Sequence, residues 1–363
     1  MALSDALRSR LRASPLGFGG APLGNLFRAV SDDAAAALIA HAYDAGVRYF
    51  DTAPHYGHGR SERRIGDALR GKPRDGYLLS TKVGRLLEPR ADAPRDQHGY
   101  VDTLPFVQRY DYGAKGVRRS LEDSLHRLGL ARVDLVYAHD IDRDTHGDAH
   151  AQRLVDALEG GLPALAALKA EGRIGGYGLG VNDVAICLHV LGLADLDVIL
   201  LAGRYTLADQ SALPELLPEC ERRGVAIVLG GPFNSGILAT GTRPADGSLP
   251  YFNYAPASPK IVERVAAIEH ACAEFGVPLP AAALQFPAAH PAVATVIPGA
   301  RSVAEFDANL RLAQVPIARE FWSVLRERGL VDPCAPLPGD PSPQPSPRMR
   351  GEGARSAGEA RKP

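Results

Sequence analysis

The stretch Gly46-Val-Arg-Tyr-Phe-Asp51-Thr-Ala-Pro-His-Tyr56-Gly-His-Gly-Arg-Ser-Glu62 joins a short apolar strand over 47–52, through a polar turn, to a helix over 61–69. Outward from it the same unit repeats. Upstream, Leu16-Gly-Phe-Gly19 predicts a strand, and Ser31-Asp32-Asp33 caps an alanine-rich helix that ends at Gly46, with acidic side chains at the positive end of its dipole. Downstream, strands are predicted at 77–83, 133–138, 176–181, 198–202, 225–229 and 294–297. Helices are predicted at 115–128, 151–171, 184–191, 213–223, 260–275, 280–290 and 303–312. Short apolar strands alternating with helices call for parallel pairing through right-handed crossovers, and eight such units close a barrel. The expectation is an α/β fold, a (β/α)8 TIM barrel over residues 1–335 with extra C-terminal helices. Two polar insertions, 85–112 and 234–258, become long loops at the C-terminal mouth, where they would wall a pocket. An open doubly wound sheet would need a glycine-rich dinucleotide turn. Gly17-Phe-Gly-Gly-Ala-Pro-Leu-Gly24 is a poor match, because Pro22 and Leu23 fall where a helix should start.

Composition narrows the function. Lys and Arg number 41 against 42 Asp and Glu, so no global field favours nucleic acid or an anionic membrane, and a small-molecule substrate is expected. The longest apolar runs, such as Val198-Ile-Leu-Leu-Ala202, fall far short of the ~20 residues that span a bilayer. Cys187, Cys220, Cys272 and Cys334 lie without C-x-x-C or metal-ligand spacing, which suits reduced thiols and no metal. The Arg- and Ser-rich start has no apolar core of the secretory kind, so a cytoplasmic protein is expected. Residues 336–363, which include Asp340-Pro-Ser-Pro-Gln-Pro-Ser-Pro347, are expected to form a disordered tail for want of bulky apolar groups.

The quoted stretch also carries chemistry. A phenol with an ordinary pKa near ~10 is a poor acid or base at neutral pH unless a cation stands beside it. Tyr56 follows Asp51 across one turn, and Leu78-Leu-Ser-Thr-Lys82-Val-Gly84 supplies an ammonium at the end of the next strand. The strand after that, Val133-Asp-Leu-Val-Tyr-Ala-His139-Asp140, ends in an imidazole. Taken singly, Asp51 passes for a helix cap, Tyr56 for a packed aromatic, Lys82 for a surface charge and His139 for a locally bonded histidine. Taken together they follow successive strands toward the barrel face where such folds place catalysis.

These motifs together resemble the aldo-keto reductase superfamily over about Leu16 to Leu330. The resemblance rests on Gly46-Val-Arg-Tyr-Phe-Asp51-Thr-Ala-x-x-Tyr56-Gly with Ser61-Glu62 and Gly66, on Ser80-Thr-Lys82-Val-Gly84, and on Asp134-Leu-Val-Tyr-Ala-His139. It implies a barrel that binds NAD(P) without a Rossmann fold and moves a hydride between nicotinamide and a carbonyl or alcohol carbon. By the same resemblance Tyr56 is the proton donor in reduction and the acceptor in oxidation. Lys82 lowers its pKa, Asp51 holds and neutralises Lys82, and His139 orients the substrate oxygen.

The resemblance also assigns cofactor contacts. Gly20 in the first glycine-rich turn is counted among them, and Asn182 would hold the carboxamide. Gly230, Pro232, Phe233, Gly236 and Leu238 would cover the pyrophosphate, and Pro298, Gly299, Arg301, Glu305 and Asn309 the adenosine. Gly230 stands where many relatives stack an aromatic on the nicotinamide, and Ala202 where a glutamine supports it. Glu305 stands where NADP-preferring relatives place an arginine, which favours NAD over NADP. Within the superfamily, Leu16-Gly-Phe-Gly-Gly-Ala-Pro-Leu-Gly-Asn-Leu26 and Ala202-Gly-Arg-Tyr-Thr-Leu207 are similar to the branch of D-threo-aldose 1-dehydrogenase (L-fucose dehydrogenase), pyridoxal 4-dehydrogenase and L-galactose dehydrogenase. That branch implies oxidation of the anomeric hydroxyl of an aldose such as L-fucose to a lactone. The alternatives are a pyridoxal 4-dehydrogenase, an NADPH-dependent reductase of small aldehydes, and a nucleotide-sensing regulatory subunit.

Overall fold

The computed structural model describes residues 3–340. Eight strands, β1 (Phe18–Gly19), β2 (Tyr49–Asp51), β3 (Leu78–Val83), β4 (Leu135–His139), β5 (Gly176–Val181), β6 (Val198–Ala202), β7 (Ala226–Gly230) and β8 (Val293–Ile297), form one parallel sheet in sequence order. The sheet curls until its edges meet. Gly17 N–H donates to Val296 O at 2.9 Å, Gly19 N–H donates to Pro298 O at 3.1 Å, and Gly19 bridges Gly299. Helices cover the outside between strands, as the alternation predicts.

A two-residue alternation sorts the strand side chains. Tyr49, Leu78, Leu135, Tyr137, Val198, Leu200, Ala226 and Val228 share one cluster inside the barrel, while Phe50, Leu79, Val136, Ile199, Leu201, Ile227 and Leu229 pack against the helices. Both strand faces are thereby buried, which explains why the strands are apolar runs rather than half-polar ones.

The N-terminal segment is the first departure from expectation. It forms a helix, Asp5–Leu11, capped by Ser4. Leu3, Leu7 and Leu11, spaced at helical turns, join the interior cluster and so close the barrel's lower end. The arginines that give this segment its basic composition are fasteners. Arg8 donates to Gly224 O, Arg10 to Asp75 O at 2.9 Å and Tyr77 O at 3.0 Å, and Arg12 to Pro291 O at 2.6 Å.

The insertions are more regular than loops. Within 85–112, Arg85–Pro89 pairs antiparallel with Phe106–Tyr110, placing Arg85 opposite Tyr110 and Leu87 opposite Gln108. Within 234–258 a short helix, Ile237–Thr240, precedes a small hairpin of Tyr251–Phe252 with Ala255–Pro256. The single helix predicted at 151–171 is divided by a π-turn, Ala157–Gly161. Gly161 explains the break in part, since a Cβ there would lie 2.4 Å from Tyr112 O.

The C-terminal helix Arg319–Glu327 packs Phe321, Trp322 and Leu325 into the core. The chain stays packed beyond 335. Leu337 is buried, and Asp340 pairs with Arg319 at 2.9 Å, so 336–340, the first residues of the expected tail, belong to the packed body. The rest of that tail, 341–363, lies outside the described residues. No helix among the described residues is long and apolar enough to cross a membrane.

Because Leu11 is fully buried in the lower plug, Leu11→Ala is expected to lower unfolding free energy by about 2–5 kcal/mol. Urea unfolding checks this, as a lower midpoint at an unchanged slope.

Candidate active site

The barrel interior changes character from bottom to top. Along β2, β3 and β4 the inward positions begin with Leu78 and Leu135, continue with the hydroxyls of Tyr49, Ser80 and Tyr137, and end with Asp51, Lys82 and His139. Parallel register sets Asp51 opposite Ser80 and Lys82 opposite Tyr137, so the charges meet at the C-terminal rim.

Lys82 Nζ donates to Asp51 Oδ2 at 2.6 Å and to Thr52 O at 3.0 Å, with the two side chains only 1% and 2% exposed. Ser80 Oγ donates to the other carboxylate oxygen at 2.7 Å. The rest of the chain of hydroxyls then has only one polarity. A carboxylate can only accept, so Ser80 spends its proton on Asp51, Tyr49 donates to Ser80 at 2.8 Å, and Tyr137 donates to Tyr49 at 2.9 Å. Three buried O–H dipoles thus point toward one carboxylate and help keep it ionised. Burial pushes the Asp51 carboxyl up, opposed by the Lys82 charge and the Ser80 bond, and pushes the Lys82 ammonium down, opposed by Asp51.

Tyr56, on the turn after β2, lies beside this pair. Lys82 Nζ stands 4.7 Å from the Tyr56 ring centroid. The expected depression of the phenol's pKa is not what this arrangement produces. Burial pushes Tyr56 well above the ordinary phenol range and the Asp51 charge adds to it, because the nearby ammonium is already matched by Asp51. Tyr56 is therefore a protonated phenol at neutral pH. His139 meets it edge-on with ring centroids 5.9 Å apart. Burial, then the Arg85 charge, hold this imidazole well below its usual pKa, so it is neutral. Its Nδ1 is buried without a partner while Nε2 stands 3.4 Å from Asp140 Oδ2, which places the proton on Nε2.

A cavity of about 650 Å3 opens over these groups, lined by Tyr56, Lys82 and His139 together with Tyr100, Asn182 and Tyr254 among others. Asn182, carried past β5 and held through its carbonyl by Arg204 Nε at 2.6 Å, is the predicted cofactor residue that faces this cavity. Small residues shape its floor. Gly180, one residue from the end of β5, and Ala202, at the end of β6, line it, and an added Cβ at Gly180 would press on Lys82 and Tyr137 at 3.1–3.3 Å.

The other predicted cofactor residues sit beside the cavity rather than in its lining. Pro232, Phe233 and Gly236 follow β7, where Asn234, Ser235 and Gly236 all have positive φ, 45°, 62° and 115°. Gly299, Arg301 and Glu305 follow β8, and Asn309 is buried on the helix Val303–Leu312. The Leu238 side chain is wholly buried in the core, the Pro298 carbonyl accepts from Gly19 N–H in closing the barrel, and at Gly20 a Cβ would lie 2.4 Å from Asp51 O, which marks the close approach of β1 and β2. Glu305 is part of a helix cap, with its N–H on Ser302 Oγ at 3.2 Å and its carboxylate on Arg301 N–H at 2.8 Å.

Sequence reasoning missed a second polar layer. Arg85 reaches Asp140 Oδ2 at 2.5 Å and Gln108 Oε1 at 3.1 Å, and Gln108 Nε2 contacts His55 Nδ1 at 2.8 Å. Neither Arg85-Leu-Leu-Glu-Pro89 nor Phe106-Val-Gln-Arg-Tyr110 has the two-residue alternation that marks a hairpin, so no local signal pointed to it.

Ser80→Ala removes the donor that helps keep Asp51 ionised, so the Asp51 pKa rises further. The acid limb of kcat/KM is expected to move to higher pH, with a smaller shift for Tyr137→Phe at the far end of the hydroxyl chain. A pH–rate profile checks both.

Residues 15–328 match the profile of the Aldo/keto reductase family. Pyridoxal 4-dehydrogenase of Microbacterium luteolum is 44% identical over 335 residues, covering 89% of this chain and 96% of that protein. D-threo-aldose 1-dehydrogenase of a Pseudomonas species is 40% identical over 333 residues, covering 90% and 97%. Among solved structures, the holo form of an aldo-keto reductase from Bacillus halodurans superposes with a TM-score of 0.66 at 25% identity, covering 86% of this chain and 91% of that one.

Proposed function

The chain belongs to the aldo/keto reductase family, and from that premise we propose that it is an NAD(P)-dependent dehydrogenase that oxidises a cyclic hemiacetal, most simply the anomeric hydroxyl of an aldose such as L-fucose, to a lactone. The observation that carries this reading is the buried Lys82–Asp51 pair beside Tyr56 and His139 in one cavity. Bound NAD(P)+ supplies a hydride acceptor at nicotinamide C4 and a positive ring charge. Once its phenolic proton has been released to solvent through the open cavity, the Tyr56 oxygen takes the hydroxyl proton of the substrate. His139 Nε2–H donates to the same substrate oxygen and fixes its lone pairs. As the C1–H bond gives up its electron pair with the hydrogen, the O–H electrons close the C=O bond of the lactone. Lys82 balances the charge on the phenolate, and Asp51 prevents that ammonium from losing its proton in the buried site.

Two relatives with different named substrates support a common chemistry. An aldopyranose is a cyclic hemiacetal, and pyridoxal forms one when its hydroxymethyl group adds to its aldehyde. The second reading, pyridoxal oxidation, is favoured by the 44% identity to pyridoxal 4-dehydrogenase and by the aromatic wall of His55, Tyr100 and Tyr254. NAD is the preferred cofactor in this account. The Glu305 carboxylate occupies the first turn of a helix where a 2′-phosphate would otherwise be drawn.

The test follows NADH or NADPH formation against L-fucose, D-arabinose, L-galactose and pyridoxal. NADPH-driven reduction of simple aldehydes exceeding every one of these oxidations would overturn the proposal. Tyr56→Phe is expected to lower kcat by ~10²–10⁴ while NADH affinity stays near that of the parent, and near-normal turnover would remove Tyr56 from proton transfer. NAD+ is expected to give the higher kcat/KM than NADP+, and Glu305→Gln should narrow that gap.

A further inference from the structure

Asp140 follows His139 at the end of β4, and its backbone is in the left-handed region at φ 45°, an unfavourable state for a residue other than glycine. Four contacts hold it there. Its N–H donates to Gly180 O at 3.0 Å, and the Tyr112 hydroxyl reaches His139 O at 2.6 Å and Asp140 O at 3.2 Å. Arg85, only 5% exposed, fixes the carboxylate through Oδ2 and is itself anchored by Gln108 and by Tyr110. The result is a carboxylate aimed into the cavity, 23% exposed, whose Oδ1 has no partner among the described residues and is not sealed from solvent. Asp142, in the same lining, is only 1% exposed: one oxygen caps Thr145 N–H at 2.9 Å and the other is unpartnered but sealed from solvent.

The open oxygen belongs to the carboxylate beside the donor that the reaction uses: His139 Nε2 stands 3.4 Å from Oδ2, the oxygen that Arg85 holds. The two oxygens of a gauche vicinal diol stand at about hydrogen-bonding distance from one another, so a sugar that takes the His139 donor with one oxygen can offer its other hydroxyl to Oδ1 of the adjoining carboxylate. We infer that Asp140 accepts a hydrogen bond from the hydroxyl on the carbon adjoining the reacting one, and so selects aldoses that carry a hydroxyl at C2. Arg85 is its positioning residue. This rests on the hemiacetal dehydrogenase reading and names what that site recognises. A buried carboxylate that loses its hydroxyl partner is left unpaired on one oxygen, which is why sites built this way reject the deoxy analogue strongly.

The experiment compares an aldopyranose with its 2-deoxy counterpart in two measurements. One is kcat/KM with NAD+, and the other is sugar affinity for the enzyme–NADH complex. The parent protein is expected to favour the 2-hydroxy sugar by roughly 10–10²-fold in kcat/KM, the worth of one hydrogen bond to a charged group, and Asp140→Ala to bring the two sugars within a few-fold by lowering the 2-hydroxy value. Asp140→Asn, which can still accept from Arg85, should act in the same direction. Arg85→Lys should raise KM for the 2-hydroxy sugar more than for the 2-deoxy sugar, whereas a merely structural residue would affect both alike. NADH affinity and melting temperature identify a variant that has failed to fold.

Turnover of both sugars by the parent at similar kcat/KM and similar affinity overturns the Asp140 assignment and leaves the dehydrogenase reading standing. Discrimination in sugar affinity without NADH formation keeps the assignment and overturns the reaction. Discrimination that survives in Asp140→Ala overturns the assignment, and neither binding nor turnover of any hemiacetal overturns both.

Discussion

The site depends on one ion pair that is expensive to bury. Lys82 and Asp51 are almost wholly removed from water, and a pair so placed gains little net stability, although removing either partner alone costs about 3–5 kcal/mol. What makes the pair tolerable is further hydrogen bonding on both sides: Thr52 O takes a second ammonium proton, and Ser80 donates to the second carboxylate oxygen. The hydroxyls of Tyr49 and Tyr137 extend that solvation downward through the barrel. The pair adds no net charge to the cavity floor, which lets an imidazole beside it remain neutral and a phenol remain protonated.

The barrel supplies the geometry that this pair requires. Parallel register brings the inward positions of β2, β3 and β4 to the same rim, and the alternation along each strand leaves the charged rim continuous with an apolar floor. The floor is completed by the N-terminal helix, whose leucines close the end opposite the chemistry. Stability and catalysis are thus assigned to opposite ends of the barrel. The C-terminal rim can carry unpaired acceptors, a strained Asp140 and small residues because the packing below it is dense.

Most of the barrel was legible because strands buried on both faces must be apolar, and eight of them were countable. The four residues at its mouth were legible because their spacing within strand ends is local. What was not legible depends on distant parts of the chain. The antiparallel pairing of 85–89 with 106–110 sets Arg85 against Asp140, and no local pattern in either segment names the other. Arginines near the N-terminus could not be recognised as fasteners, since their partners are carbonyls at strand starts far along the sequence. The direction of the Tyr56 shift was missed for a related reason: a cation nearby lowers a phenol's pKa only if it is not already matched, and the match with Asp51 is visible only in three dimensions. Leu238 and Pro298 were assigned by motif, and their part in the core and in barrel closure is visible only in three dimensions.

The central claim is that Lys82 and Asp51 work as one unit behind Tyr56. A double-mutant cycle on kcat/KM, with Lys82→Met, Asp51→Asn and the two combined, tests it directly. Groups that act as a unit give strongly non-additive losses, so the combined variant is predicted to lose no more than Lys82→Met alone. Losses that multiply, with the combined variant falling by the product of the single effects, would contradict the account.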